Sequence, residues 1–282
     1  LWQLADKLGN HLTLVYNKKL VPIPPKTDKE LIEIGQKLTR DLNGDGKVDQ
    51  YGLVWNYTEP YFFIPFLTGF GGWILDSLNQ PTLNTQAMIN ALKFIQDLRD
   101  KYKIIPGEAD YDIADVLFKE NKAGMIINGD WSWSSYIDAG IDMGITILPK
   151  ITETGLYATP MVAPKGYSIN VNVDENKLPI VKKFLKFVLS PEKQLETSLK
   201  VKTYPSRKEL YDNPKLLNDE ILRNSQEQIR HGIPMPIVTE MRAIWDAMRP
   251  SYQAVLGGFI TPEKAAADMQ KTAEIKIKEM RE

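Results

Sequence analysis

"AGMIINGDWSW", residues 123–133, changes character halfway along. The first part, AGMIING, is an apolar run closed by Asn128–Gly129, the pattern of a short buried strand. The second part sets Trp131 and Trp133 among small and polar residues and opens a further helix with Ser134, Ser135 and Tyr136. On one side lies "DIADVLFKEN" (112–121), with helical spacing; on the other lies "GITILP" (144–149), a second strand. A strand framed by helices, with another strand beyond, is the alternation of an α/β protein. The same alternation continues outward. Upstream, Asn84 to Tyr102 is an amphipathic helix with Met88, Leu92, Ile95 and Leu98 on one face. Before it come an aromatic, irregular "EPYFFIPFLTGFGGW" (59–73) and a strand "YGLVW" (51–55). Thr27 and Glu30 form a capping-box pattern that opens a helix from Asp28 to Leu42, and "LTLVYN" (12–17) reads as a half-buried strand. Downstream, "YSINVNV" (167–173) alternates as a strand does, then two helices follow, the second started by Ser190–Pro191. The remainder is mostly helical and ends in a long helix capped by Thr261–Pro262.

Charge and composition remove several functions. The 282 residues carry 35 basic and 36 acidic side chains with neither sign gathered into a block, so no nucleic acid or anionic membrane surface is implied as a partner. No cysteine is present, which leaves no disulfide framework and no thiolate site. "LWQLADKLGN" at the start has neither an initiator Met nor the charged and apolar regions of a leader, so it reads as the middle of a longer chain.

"DLNGDGKVDQYG" (41–52) has the spacing of a calcium loop. Asp41, Asn43, Asp45 and Asp49 offer side-chain oxygens at positions 1, 3, 5 and 9, and the Lys47 carbonyl would complete them. Position 12 is Gly52 rather than the bidentate glutamate of an EF-hand, and a strand rather than a helix follows. A structural Ca²⁺ staple fits this pattern and a calcium sensor does not; Asn, Asp and Gly clusters are also ordinary turn formers.

Catalytic signatures are missing: the chain has no G-x-S-x-G, P-loop or H-E-x-x-H motif, and "GFGGW" stops short of G-x-G-x-x-G. His11 and His231 are the two histidines and lie far apart in sequence. What remains is a set of aromatic rings beside polar groups, in "EPYF" (59–62), "NGDWSW" (128–133) and "IWDAMR" (244–249). Rings cover the apolar face of a pyranose while charged groups bond its hydroxyl rim. Such coverage contributes roughly 1 kcal/mol per sugar at about 25 cal/mol per Å², and bidentate charged hydrogen bonds add specificity. For Trp133 and Phe62 a core role weighs as much as a ligand role; Trp131 and Trp245, flanked by small or polar residues, are the better ligand candidates. Three readings stand: a sugar receptor, a glycan-active enzyme of glycoside hydrolase type using a carboxylate pair, and a calcium-dependent interaction protein.

Four stretches, "LVYNKKLVPIPPKT", "EPYFFIPFLTGFGG", "MIINGDWSW" and "MPIVTEMRAIWDAMR", resemble in their order the maltose/maltodextrin-binding proteins, the solute receptors of ABC sugar importers. The resemblance covers nearly the whole chain. It implies a periplasmic-binding-protein-like α/β fold of two lobes with hinge crossovers, the first lobe incomplete here. Residues 1–10 would be a crossover, 11–163 the main part of the second lobe, 164–204 a returning segment of the first, and 205–282 the closing helices of the second. A malto-oligosaccharide would lie between the lobes, held by Glu59, Tyr61 and Trp131, with Trp245 stacking on a glucose ring and Arg249 nearby; Phe62 and Trp133 stand beside these as ligand candidates from their own stretches of sequence. Asn10 stands where maltose binders often carry a glutamate, and Asp246 replaces an aromatic, so the preferred sugar is open. The resemblance further implies a membrane permease as partner, a periplasmic or extracellular location with a cell-surface lipoprotein as one form, and a missing N-terminal segment or neighbouring chain that completes the first lobe.

Overall fold

A computed structural model describes residues 3–282, so the first two residues of the expected 1–10 crossover lie outside it. β1 (Leu4–Gly9) leads through Asn10 directly into β2 (Leu12–Asn17). Asn10 turns this corner in the left-handed region, φ 46°, which Asn tolerates better than most side chains. After β2 come α1 (Asp28–Leu38), β3 (Tyr51–Val54), a short 3₁₀ turn at Pro60–Phe62, α2 (Ile64–Gly69), α3 (Gln86–Asp100) and α4 (Tyr111–Lys119). Then follow β4 (Ala123–Gly129), α5 (Trp133–Asp138), β5 (Met143–Thr146) and β6 (Met161–Tyr167). The chain finishes with α6 (Leu178–Val188), α7 (Pro191–Val201), α8 (Pro214–Leu217), α9 (Glu220–His231), β7 (Ile233–Pro234), α10 (Glu240–Leu256) and α11 (Pro262–Arg281).

The larger sheet has the order β3-β4-β2-β5, with β3 parallel to β4 and the other pairs antiparallel. β2 and β4 sit inside it and are buried along their whole length, which is why their sequences carry Leu, Ile and Val on both faces. The buried amide of Asn17 is satisfied by donating to Asn121 Oδ1 at 2.6 Å. Helices α1, α4 and α9 pack against the sheet, while α2, α3, α10 and α11 pack on one another. Fully buried Leu12, Leu14, Leu53 and Ile126 belong to the resulting core, each worth roughly 1.5–3 kcal/mol on burial. Trp55 Nε1 donates to Tyr252 Oη at 3.0 Å and ties the end of β3 to α10 across the chain.

A second sheet, β1-β6-β7, lies at the edge of this body. β1 and β6 are antiparallel with an irregularity between Ala5 and Lys7, and a third stretch runs alongside, where Leu8 N donates to Tyr204 O at 2.9 Å. Three passes of the chain therefore meet here.

The expected caps are in place. Thr27 Oγ1 accepts from Glu30 N at 3.2 Å while Glu30 accepts from Lys26 N at 2.7 Å; Ser190 and Thr261 cap α7 and α11. Four expectations need correction. β2, expected to be half-buried, is buried on both faces because it lies inside the sheet. α1 ends at Leu38 rather than Leu42, where Thr39 Oγ1 returns to Gly35 O and the Asx-rich loop begins. The stretch expected to be irregular, 59–73, contains the 3₁₀ turn and α2. "YSINVNV" is strand only at Tyr167, because Asn170 Oδ1 accepts from Asn172 N at 2.9 Å and turns the chain there, leaving Val171 95% exposed.

α6 presents an apolar stripe outward: Ile180, Phe184 and Phe187 are exposed, and Phe184 meets Tyr167 edge-on at 5.7 Å.

Candidate functional site

A cavity of about 230 Å³ opens where the two sheets meet. Its walls come from four places in the chain. Asn10 lies at the β1–β2 corner, Glu59 and Tyr61 frame the 3₁₀ turn, Trp131 follows β4, and Trp245 and Arg249 stand on α10 with Met235 just before it. The sequence places Trp245 and Arg249 four residues apart, so they share one helical face; Ile244 and Met248 take the opposite face into the core.

Arg249 is held as a fork. Its Nε donates to Glu59 Oε1 at 3.2 Å and its Nη2 to Glu59 Oε2 at 3.1 Å, with Asp246 at 3.7 Å. The Glu59 bond, more than the nearby charge of Asp246, raises the guanidinium's affinity for its proton. Tyr61 donates its hydroxyl to the Asn10 carbonyl and lies 3.3 Å from the Met161 carbonyl, so the phenol is tied to both crossover strands. Burial, then the charge of Asp130, pushes its pKa well above the usual phenol range, and it stays a neutral donor.

Trp131 is fixed on several sides. Ser132 folds the chain back with its amide and hydroxyl both on Gly129 O, at 3.0 and 2.8 Å. The indole then lies on Gly129: a Cβ there would sit 2.1, 2.3 and 2.5 Å from Cζ3, Cη2 and Cε3 of the ring. Its Nε1 donates to Tyr111 Oη at 3.1 Å, and Phe62 meets it edge-on at 6.4 Å. Tyr61 stands 6.5 Å from Trp131 and 6.4 Å from Trp245, so three rings surround one space rimmed by Glu59 and Arg249. Apolar faces with a charged rim suit a ring that has C–H faces and peripheral hydroxyls.

Six of the eight residues expected to touch ligand thus line one cavity, although they are spread over 240 positions of sequence. The other two do not line it. Phe62 is buried behind Trp131, and Trp133 is wholly buried with its ring edge-on to His11 at 5.6 Å. Met235, Tyr111 and Lys165, whose ammonium lies 5.0 Å from the Trp131 ring centre, were not foreseen. Nothing local marks Tyr111 and Lys165, which reach Trp131 from other elements, and Met235, just ahead of α10, has no polar neighbour to single it out.

The 41–52 loop lies apart, as an Asx-rich turn. Asp41 accepts from Gly44 N at 2.6 Å and Gly46 N at 2.8 Å, and chiefly the Gly46 bond holds its carboxyl below the usual range. Asp45 accepts from Lys47 N, and Asp49 from Leu42 N and Asn43 N. Asn43 Nδ2 comes within 3.4 Å of Asp49 Oδ1. Position 12 is closed to a ligand side chain, because a Cβ on Gly52 would fall 2.3 Å from Gly35 Cα. Among the described residues no three His, Cys, Asp or Glu side chains are gathered as a metal site.

Known proteins resemble this chain over most of its length. Residues 8–224 match the family model described as bacterial extracellular solute-binding protein. The structure of the maltose/maltodextrin-binding domain from Bdellovibrio bacteriovorus bound to maltotriose superposes with a TM-score of 0.92 at 46% identity, covering 98% of this chain and 73% of that one. A maltotriose-binding protein of Pyrococcus abyssi is 29% identical over 87% of this chain, and a galactooligosaccharide-binding protein of Bacillus subtilis is 29% identical over 94%. The chain spans 53% and 63% of the length of those two relatives. The structural neighbours are two-lobe proteins with the α/β architecture expected from the sequence. The chain belongs to the bacterial extracellular solute-binding protein family.

Proposed function

We propose that this chain is the sugar-holding part of a solute receptor that binds malto-oligosaccharides between two lobes and delivers them to the permease of an ABC importer, in the periplasm or at the cell surface. The observation that carries the proposal is the cavity in which Tyr61, Trp131 and Trp245 surround one space rimmed by the Glu59–Arg249 fork. Binding without turnover is favoured over hydrolysis: among the described residues Glu59 is the single carboxylate lining the cavity and spends both oxygens on Arg249, whereas glycoside hydrolysis uses a pair. The three passes of chain at β1, β6 and 203–206 are the proposed hinge, with 11–163 and 205–282 on one side of it and 164–204 on the other. A few residues at such passes absorb the rotation of closure. The outward stripe of Ile180, Phe184 and Phe187 is where further protein would close on α6, from the same polypeptide or a neighbouring one.

Calorimetric titration with maltose, maltotriose, maltotetraose and a galactooligosaccharide, together with an assay for released reducing ends, tests this reading. Saturable binding of the glucans with no release supports it. Release of reducing ends, or no heat from any of the four, refutes it.

A further inference from the structure

Beside the platform lies a charge that the site does not use. The Asp130 side chain is wholly buried, and neither of its oxygens has a hydrogen-bond partner among the described residues. A buried carboxylate without compensation is strongly disfavoured. The compensating cation is Lys165, whose Nζ stands 3.6 Å from Asp130 Oδ1. Lys165 comes from β6, one of the three passes between the sheets. Its side chain is 37% exposed, and its ammonium is held over the Trp131 ring, 5.0 Å from the centre. The approach of Asp130 is tight: a Cβ on Gly9 would fall 2.5 Å from Asp130 Oδ2 and 3.5 Å from His11 Nδ1, so the carboxylate lies close against the β1 backbone at Gly9.

One face of Trp131 rests on Gly129, and the Lys165 ammonium stands over the ring, beside the cavity that the indole helps to line. A sugar held in that cavity against the indole meets an ammonium already stationed at the ring. That ammonium has three N–H donors and no acceptor. Asp130 holds it as an ion pair at 3.6 Å rather than through a hydrogen bond, so its donors are available to hydroxyl or ring oxygens.

We propose that Lys165 is a specificity-determining residue of the sugar site, held in place by the buried Asp130 carboxylate and donating hydrogen bonds to the oxygens of the sugar held beside Trp131. Asp130 is then a positioning residue, which acts through Lys165. This rests on the proposed function, and the pair also links the Trp131 platform to a crossover strand.

The test is maltotriose titration, with thermal melts, of the wild type and three variants. Lys165→Met should weaken binding about tenfold or more, the size of one hydrogen bond to a charged group, and should also lower the melting temperature, because Asp130 is left uncompensated. Lys165→Arg, which keeps the charge and the donors, should stay within about threefold of the wild type. The double variant Asp130→Asn with Lys165→Met removes the stranded charge, so its melting temperature should return toward the wild type while its affinity stays low. A double variant that melts and binds as the wild type does would overturn the proposal and reduce the pair to a structural bridge. Wild-type protein that binds none of the sugars would instead sink the proposed function, and this inference with it.

Discussion

Lowering the pH from about 7.5 to about 5 should remove about 2 kcal/mol of stability through one residue, His11. Its ring is wholly buried at the β1–β2 corner, edge-on to Trp133, with Nε2 3.2 Å from Ser225 Oγ. Burial lowers its pKa from 6.5 to about 4; the neighbouring Asp130 charge raises it and Lys165 lowers it, and burial prevails. The folded protein therefore resists a proton that the unfolded chain accepts. Stability is full above about pH 6.5 and declines as pH falls toward about 4, by up to about 3 kcal/mol for a shift of this size. About pH 5 is the useful lower point, since the carboxylates held low by partners, such as Asp41, Asp100 and Glu240, keep their charge there. Urea denaturation followed by tryptophan fluorescence at the two pH values gives the difference directly. His11→Gln, which keeps a polar partner for Ser225, should flatten the dependence. The reasoning fails if the wild type is equally stable at both values, or if the variant keeps the full slope.

Trp245→Ala should weaken maltotriose binding by about 1–3 kcal/mol with little change in melting temperature, whereas Trp133→Ala should cost about 3–5 kcal/mol of stability; calorimetry and melts on the pair would refute the assignment if these effects were exchanged. Calcium at millimolar levels should raise the melting temperature through the 41–52 loop and leave maltotriose affinity unchanged. A tenfold shift in that affinity, about 1.4 kcal/mol of coupling, would count against a purely structural loop. Replacing Ile180, Phe184 and Phe187 with Ser should suppress concentration-dependent association in light scattering, at less than about 0.5 kcal/mol per site because all three are exposed. Wild-type protein that stays monomeric at high concentration would remove the reason for a covering partner.

Local signals carried much of the fold. Thr27, Ser190 and Thr261 announced helix starts that the structure keeps, and AGMIING is a strand from its first residue to its last. Alternation misled at 168–173, where the short polar side chain of Asn170 captures the backbone before a neighbouring strand can. β6 was not legible, since Met161–Tyr167 carries Pro164 and Lys165 and becomes a strand by pairing with β1, about 155 positions away. At the site, small and polar neighbours singled out Trp131 and Trp245 as ligand candidates, and both rings are partly open in the structure. The same flanks could not separate Trp131 from Trp133, because the chain turns between them and sends one ring to the cavity and the other to the core. Lys165 could not be found from flanking residues at all. Its role depends on a carboxylate 35 positions earlier.

The glycine beneath Trp131 has an evolutionary consequence. Any side chain at 129 would collide with the indole, whose nitrogen is also committed to Tyr111, so this wall of the cavity changes only if several positions change together. Trp245 stands on a helix surface, where a single substitution alters what the cavity meets without displacing a neighbour's backbone. Diversification of ligand preference should therefore accumulate on α10, at 245, 246 and 249, while 129–131 stays fixed. A library randomised at the helix positions should yield folded proteins with altered sugar preference far more often than one randomised at 129–131.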